Sequence, residues 1–357
     1  MSRGAIATID VAALAHNVQC VRQWAPHAKI LAMVKSNGYG HGFLRAVHGL
    51  STVDAYGVAC LEEALALREV GIDAPIVVMA GPQEMAEIVA FGEYQFSAVI
   101  HTGHQLAWLA QAQGVKPFPV WLKLDSGMHR LGFLPSEFAA ARQRLTALSL
   151  VSGEIVYMTH LADADNPDTR FTEQQLVCFT QHVPSGCRSA ANSAAILKFS
   201  ECHYDWVRPG LLLYGVSPLR EKTGLELGLR PVMTLSARIM VLKTVACGES
   251  VGYGCDYHAP ENMLMGIVAL GYGDGYPRHA MTGTPILVNG VRCPLIGRVS
   301  MDMLAVDLRS QPNVQEGDSV VLWGEGLPVE TVAEYASTIP YTLLCGVAPR
   351  VRFAEVV

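Results

Sequence analysis

The chain has no excess of positive charge. Lys and Arg number 26 against 32 Asp and Glu, a formal charge of −6 over 357 residues, and no basic run follows the spacing of a phosphate backbone. Nucleic acid is therefore not an expected partner. Charged residues of both signs are few, 16 % where an average domain has roughly 25 %. Hydrophobic residues reach 50 %, which excludes a disordered chain. Long apolar runs are missing too. None approaches the roughly 18 residues needed to cross a bilayer, and the opening Ser2-Arg3-Gly4-Ala5-Ile6 meets Asp10 before a signal-peptide core could form, so no membrane association and a cytoplasmic location are expected. Nine cysteines are present but scattered, with no C-x-x-C pair, which indicates neither a disulfide framework nor a zinc knuckle. His101 and His104 have helical spacing but no third ligand near them. Surface or capping roles are expected for both, and no metal.

At about 150 residues per domain the length suggests two domains. After an opening strand near Ala5-Ile9, Asp10 can cap a helix whose apolar residues Val11, Leu14, Val18, Val21 and Trp24 keep helical spacing until Pro26. Eight short apolar runs then alternate with amphipathic segments: 30–34, 55–59, 76–80, 96–100, 119–124, 154–159, 188–191 and 205–207. Strands of that length alternating with helices imply a parallel sheet, and eight units in about 200 residues fit a closed (β/α)8 barrel of TIM type better than an open sheet. From Met233 the pattern becomes β-rich, punctuated by Asn289-Gly290, a type I′ hairpin signal. The expected division is a barrel over 1–231 and a mostly-β C-terminal domain over 232–357.

Barrels of this kind carry chemistry at the C-terminal ends of their strands, where this sequence is polar. Lys35 follows the first barrel strand, Lys123 and Arg130 end and follow the fifth, His160 follows the sixth, Asn192-Ser193 the seventh and Arg208 the eighth. Lys35 ends an apolar approach, Leu31-Ala32-Met33-Val34, and enters a loop of small residues. Partial desolvation there would lower the amine's pKa and suit Schiff-base chemistry. The glycines around it match neither a phosphate-binding P-loop nor a dinucleotide fingerprint.

Val34-Lys35-Ser36-Asn37-Gly38-Tyr39-Gly40-His41-Gly42 resembles the pyridoxal-phosphate lysine motif of the alanine racemases. The likeness continues in order through Lys123-Leu124-Asp125-Ser126-Gly127-Met128-His129-Arg130, Thr159-His160-Leu161-Ala162, Asn192-Ser193-Ala194-Ala195 and Val207-Arg208-Pro209-Gly210. In the β region it resumes at Val251-Gly252-Tyr253-Gly254, Gly271-Tyr272-Gly273-Asp274-Gly275-Tyr276-Pro277-Arg278, Gly297-Arg298-Val299-Ser300-Met301-Asp302 and Tyr341. It spans essentially the whole chain.

The resemblance implies that Lys35 carries pyridoxal 5′-phosphate and, once displaced by substrate, is one of two acid/base groups at Cα. Tyr253 is the other, supplied by the second subunit of a homodimer with shared sites. Moving a proton from one face to the other is natural work for two groups on opposite sides. His160 and Arg208 would support the tyrosine, and Arg208 would face the pyridine nitrogen and leave it unprotonated. Tyr39, Ser193, Gly210, Leu211 and Tyr341 match the phosphate-holding positions, and Ser193 stands where a helix should begin. Arg130 matches the arginine near the phenolic oxygen and the substrate carboxylate, and Lys123 a lysine that many members carry as a carbamate. Met301 and Asp302 would reach the substrate from the second subunit. Tyr272, Arg278, Arg298, Asp165 and Tyr341 match a narrow approach that favours alanine. The activity implied is interconversion of L- and D-alanine, supplying or degrading D-alanine for the cell wall. Ser36 and Gly38 replace more usual alanines and Ser300 a frequent cysteine, while His129 beside Arg130 bears on the carbamate contact. An amino-acid decarboxylase of similar architecture and a non-catalytic pyridoxal-phosphate carrier are the competing readings. Tyr253 and the order of the motifs count against the first, and the 125 or so residues after Met233 against the second.

Overall fold

The computed structural model describes residues 4–166, 168 and 170–356. Strand β1 (Ile6–Asp10) leads into a helix, Val11–Trp24, started as the sequence predicts: the Asp10 carboxylate accepts the Ala13 N–H at 2.9 Å. The helix buries Ala13, Leu14, Val18 and Val21. It ends at Trp24, two residues before Pro26, whose ring admits no further turn.

Eight short strands follow: β2 (Lys29–Met33), β3 (Ala55–Val58), β4 (Ile76–Val78), β5 (Ser97–Ile100), β6 (Val120–Lys123), β7 (Val156–Met158), β8 (Arg188–Ser189) and β9 (Trp206–Val207). They form one parallel sheet in the order β8-β7-β6-β5-β4-β3-β2-β9. The circle closes between β8 and β9 through a parallel bridge of Asn192 to Arg208, with the Arg208 N–H donating to Ala191 O at 2.9 Å. Nearly every residue of β3 to β6 is buried, as continuous apolar runs require in a sheet covered on both faces. The barrel thus closes through residues that flank the polar strand ends.

The second unit is mostly β. Its spine is β10 (Met233–Val245), followed by β11 (Ser250–Val251), β12 (Tyr257–His258), β13 (Met263–Val268), β14 (Pro285–Val288), β15 (Val291–Ile296), β16 (Leu304–Asp307), β17 (Ser319–Trp323) and β18 (Arg352–Val356). Asn289 and Gly290, at φ 50° and 81°, turn β14 into β15 as a type I′ hairpin.

The opening strand departs from the expected division. β1 does not join the barrel. It pairs antiparallel with β10, Ile6 opposite Ser236, and parallel with β18, Ile6 opposite Arg352. Its alternation, with Ala7 and Ile9 fully buried, reads the same in either sheet, so periodicity alone could not assign it. One apolar core consequently runs through both units. Two late helices, Val329–Tyr335 and Pro340–Cys345, were not foreseen, and the second returns the chain to the barrel mouth.

Candidate active site

Lys35 stands at the C-terminal end of β2 and opens an unusual turn. Ser36, Asn37, Gly38 and Tyr39 all have φ between 52° and 62°, a left-handed run that costs roughly 1–2 kcal/mol per L-residue. The turn is held from several directions. The Asn37 side-chain oxygen accepts the Phe43 N–H at 2.8 Å, and the ring of His41 lies 3.0 Å from both Gly38 O and Tyr39 O through Nδ1. Because both neighbours are carbonyls, Nδ1 carries the proton. His41 is fully buried, which pushes its pKa down to about 4, and its Nε2 has no partner. Gly40 is required where it stands: its φ is 83°, and a Cβ would lie 2.1 Å from Leu344 O on the returning C-terminal helix. Burial, and then the nearby Arg130 guanidinium, lower the Lys35 pKa, while Glu63 and Cys345 oppose the shift. That favours the neutral amine.

The other polar strand ends gather round it. Arg208, 3 % exposed, donates to Ser189 Oγ, to Thr159 O at 2.7 Å and to Ala190 O at 3.0 Å, and approaches His160 Nδ1 at 3.3 Å. No carboxylate neutralises it among the described residues, and burial lowers it to about 10, so it keeps its charge at neutral pH. A guanidinium only donates, so His160 Nδ1 accepts and the ring proton resides on Nε2. Burial first, and then Arg208, Lys123, Arg130 and Lys35, hold His160 well below its ordinary pKa. Lys123, at the end of β6 and 6 % exposed, is lowered to about 8 by burial and by Arg208 and Arg130, with Asp125 opposing. Asp125 shapes the loop that carries Arg130 by accepting the N–H groups of Gly127 and His129, each at 3.0 Å. His129 is itself exposed and turned toward Asp125 at 3.5 Å.

A cradle lies beside Lys35. The Ser193 hydroxyl accepts the Gly210 N–H at 2.9 Å, and a Cβ on Gly210 would fall 2.4 Å from the Tyr39 hydroxyl. Leu211 begins the adjoining turn. Tyr341, on the helix Pro340–Cys345, leans on Tyr39 with ring centroids 5.7 Å apart, and Tyr39 stacks on Tyr214 at 4.9 Å. Burial raises the pKa of both Tyr39 and Tyr341, so their hydroxyls remain protonated donors. The short helix Ser193–Lys198 is capped not by Ser193 but by Asn192, whose side chain accepts the Ala195 N–H at 3.1 Å. That leaves the serine hydroxyl free to face the cradle. Asp165, Ser193, Leu211 and Tyr341 also line a cavity of about 630 Å³ that runs on toward Glu330.

The remaining expected residues lie on the β unit. Tyr253 sits between β11 and β12, 67 % exposed, with no hydrogen bond to another described residue. Met301 is likewise 54 % exposed. Asp302 is paired to Arg350 at 3.0 Å, Arg298 to Asp256, and Tyr272 and Arg278 project from the neighbouring turn. The chain therefore assembles Lys35, Lys123, Arg130, His160, Arg208, Tyr39, Ser193, Gly210, Leu211 and Tyr341 at one end of the barrel and leaves Tyr253, Met301, Tyr272, Arg278 and Arg298 exposed on the β unit.

Several supporting residues had no sequence signal. Gln175, fully buried in the helix Phe171–His182, donates to His160 O at 3.1 Å and accepts the Ala162 N–H at 2.9 Å, fixing the His160 loop. Arg350 ties the turn carrying Tyr272 to the Met301 loop through Asp274 at 2.8 Å and Met301 O at 3.2 Å. A polar residue inside a helix and an arginine near a terminus look ordinary until the fold brings their partners close. His101, expected at the surface or as a cap, is buried with Nε2 2.8 Å from Ala80 O, and the cap falls to Thr102.

Residues 9–218 match the alanine racemase N-terminal domain and residues 232–354 the alanine racemase C-terminal domain. The chain is 50 % identical over 359 aligned residues to an alanine racemase of Coxiella burnetii, covering 99 % of each. In structure it is similar to the biosynthetic alanine racemase of Pseudomonas aeruginosa, with a TM-score of 0.96, 43 % identity and 100 % of each chain covered. It is also similar to an alanine racemase of Bartonella henselae solved with covalently bound pyridoxal phosphate, with a TM-score of 0.87, 28 % identity and 99 % of each chain covered.

Proposed function

The chain belongs to the alanine racemase family, and from that premise we propose that it interconverts L- and D-alanine by a two-base mechanism in which Lys35 and Tyr253 act on opposite faces of Cα. The observation that carries this reading is Lys35: an amine with lowered pKa at a buried strand end, beside a cradle of hydroxyls and among uncompensated cations.

The residues present fit pyridoxal 5′-phosphate. Lys35 would hold it covalently. The Tyr39, Ser193 and Tyr341 hydroxyls and the backbone of Gly210 and Leu211 would take its phosphate, Arg208 its ring nitrogen and Arg130 its phenolic oxygen. The close approach of Gly210 to Tyr39, which a side chain would fill, is what such a cradle needs. When bound, the group supplies an electron-withdrawing ring that acidifies the α-proton of an attached amino acid.

The protein's own groups then do the rest. Lys35, its neutral amine favoured, takes or returns the proton on one face. Tyr253 of a second copy does so on the other, which accounts for a catalytic tyrosine left exposed in one chain. A phenol has an ordinary pKa near 10 and needs support to act as a base. His160 offers an Nε2–H donor with the Arg208 charge behind it. Arg130 and the Met301 backbone would take the substrate carboxylate, with Asp302 alongside. Tyr272, Arg278, Arg298, Asp165 and Tyr341 would narrow the approach to admit alanine. Lys123 would be carbamylated and steady Arg130. A homodimer, a barrel unit within 1–231, a β unit of 232–357 that β1 joins, a cytoplasmic location and a role in D-alanine supply or breakdown for the cell wall complete the proposal. No helix among the described residues is long and apolar enough to cross a membrane.

The test is incubation of the pyridoxal-phosphate-loaded protein with L-alanine in heavy water, with serine and lysine in parallel, following Cα deuteration by NMR and enantiomers by chiral chromatography. Deuterated D-alanine is expected to form much faster than D-serine or D-lysine. Deuterium entering without inversion would refute the two-base division.

A further inference from the structure

Glu63 lies on the helix Leu61–Glu69, one βα unit beyond Lys35, and is half-buried. Its two carboxylate oxygens serve different strands. Oε1 accepts the Ser36 N–H at 2.7 Å, and Oε2 accepts the Ala59 N–H at 2.7 Å. Ser36 is the first residue of the left-handed turn, and Ala59 is the first residue after β3. One side chain thus joins the C-terminal ends of two adjacent barrel strands by charge-assisted hydrogen bonds, which are short and roughly twice as strong as neutral ones. Among the described residues the Ser36 N–H donates to Glu63 alone, and a left-handed conformation at a residue other than glycine persists only where surrounding bonds hold it.

We propose that Glu63 is the positioning residue of this site: its carboxylate holds the left-handed turn against the end of β3 and thereby sets the aim of both Lys35 and Tyr39. Lys35 immediately precedes the turn that Glu63 grips and Tyr39 is its last residue, so a loosened turn misplaces the amine and the cradle together. The inference rests on the reading of Lys35 as the cofactor lysine. Glu63 has a second, electrostatic effect. Lys35 is faced by Arg130 from the loop after β6, by Cys345 from the C-terminal helix and by Glu63 from the helix after β3, and Glu63 is the carboxylate among them. Its removal takes away the carboxylate that opposes Arg130 and drives the amine further toward its neutral form.

The experiment compares full-length wild type, Glu63→Gln, Glu63→Ala and Lys35→Ala. The pyridoxal-phosphate dissociation constant is read from visible absorbance, the kcat pH profile from alanine racemisation at saturating substrate, and folding from thermal unfolding. Glu63→Gln keeps one accepting oxygen and loses the charge. It should weaken cofactor binding about threefold and move the acid limb of kcat, which reports the lysine displaced by substrate, to lower pH. Glu63→Ala should weaken binding tenfold or more. Should Glu63→Ala fail to fold, Glu63→Gln carries the test. A residue that merely stabilises the helix would lower the unfolding temperature and leave the acid limb where it is. Glu63→Gln with the wild-type dissociation constant and acid limb overturns the proposal. Lys35→Ala separates the premise from the inference: if that variant keeps the wild-type absorbance band, the lysine assignment falls and takes the proposal with it.

Discussion

The exposure of Tyr253 makes a quantitative prediction about subunit mixing. Tyr253 is 67 % exposed and its hydroxyl bonds to no other described residue, whereas Lys35 lies at the buried barrel mouth. If each site takes its lysine from one subunit and its tyrosine from the other, then Lys35→Ala and Tyr253→Phe subunits should complement. Each parent homodimer lacks one acid/base group at both sites, a loss of typically 10²- to 10⁴-fold. A mixed dimer has one site with both groups and one with neither. It should therefore show about half the wild-type activity, and an unfractionated equal mixture about a quarter, since random pairing makes half of its dimers mixed. The converse pairing gives the sharper assay. Wild type paired with the Lys35→Ala/Tyr253→Phe double variant leaves each site short of one group, so that mixed dimer should be nearly inactive. A site contained in one chain reverses both results: no recovery in the first pairing and about half activity in the second. Co-expression with two different tags and tandem affinity purification isolates the mixed dimers, and racemisation followed by polarimetry reads them.

Other predictions follow from the buried polar groups. Lys123, with a pKa lowered to about 8, would be neutral in roughly one molecule in five at pH 7.4, against about one in a thousand for an ordinary lysine. The neutral amine adds to CO₂ and releases a proton, so ¹³C-bicarbonate should give a carbamate NMR resonance that Lys123→Met lacks; a wild-type spectrum without that resonance rules the carbamate out. His41 takes up its proton only near pH 4 when folded and near 6.5 when unfolded, so the unfolded state binds more protons between those values and stability falls as pH drops through them. From pH 7 to pH 5 this one group removes about 2 kcal/mol. His41→Asn, whose amide can still donate to the Gly38 and Tyr39 carbonyls, should show a urea-unfolding free energy flatter by that amount, and parallel curves would contradict the assignment. Gly210→Ala would place a Cβ 2.4 Å from the Tyr39 hydroxyl. Cofactor affinity should fall at least tenfold with the unfolding temperature little changed, and unchanged affinity would show that the cradle is elsewhere.

The barrel was legible because its signal is local. Each buried strand is a short apolar run, and the residue after it faces the site, so reading strand ends located Lys35, Lys123, His160 and Arg208 before any contact was known. Motif order supplied what spacing could not, notably Tyr39 and Gly210, which lie 171 positions apart in the chain (210 − 39) and meet only in the fold. What stayed hidden depends on long-range pairing. The alternation of β1 fits either sheet, and only its register with β10 and β18 decides. The left-handed turn was also invisible: Ser36, Asn37 and Tyr39 are not glycines, and their positive φ is held by a tertiary bond from Glu63, with His41 clasping the Gly38 and Tyr39 carbonyls from three and two positions on.

The distribution of charge at the mouth explains why those violations cluster there. Lys35, Lys123, Arg130 and Arg208 each depress the pKa of His160, so they form one field of like sign rather than four separate ion pairs. Arg208 is the clearest case, bonded to two carbonyls, a hydroxyl and an imidazole but to no carboxylate among the described residues. A buried cation without an acidic partner destabilises the fold that holds it, and a protein selected for stability alone would replace it. Its persistence makes sense if the missing anions arrive from outside. A phosphate and a substrate carboxylate are anions of that kind, and the hydroxyls of Tyr39, Ser193 and Tyr341 lie beside the cations that would meet them. The same field accounts for His160. Held neutral by its surroundings, it can orient a phenolic oxygen through Nε2–H without adding a fifth charge, while Arg208 behind it supplies the positive potential that a tyrosine needs to give up its proton. The mouth and the outward-facing Tyr253 are thus complementary: one holds in Arg208 a positive charge that no carboxylate among the described residues neutralises, and the other is a phenol that becomes a usable base only where such charge is near.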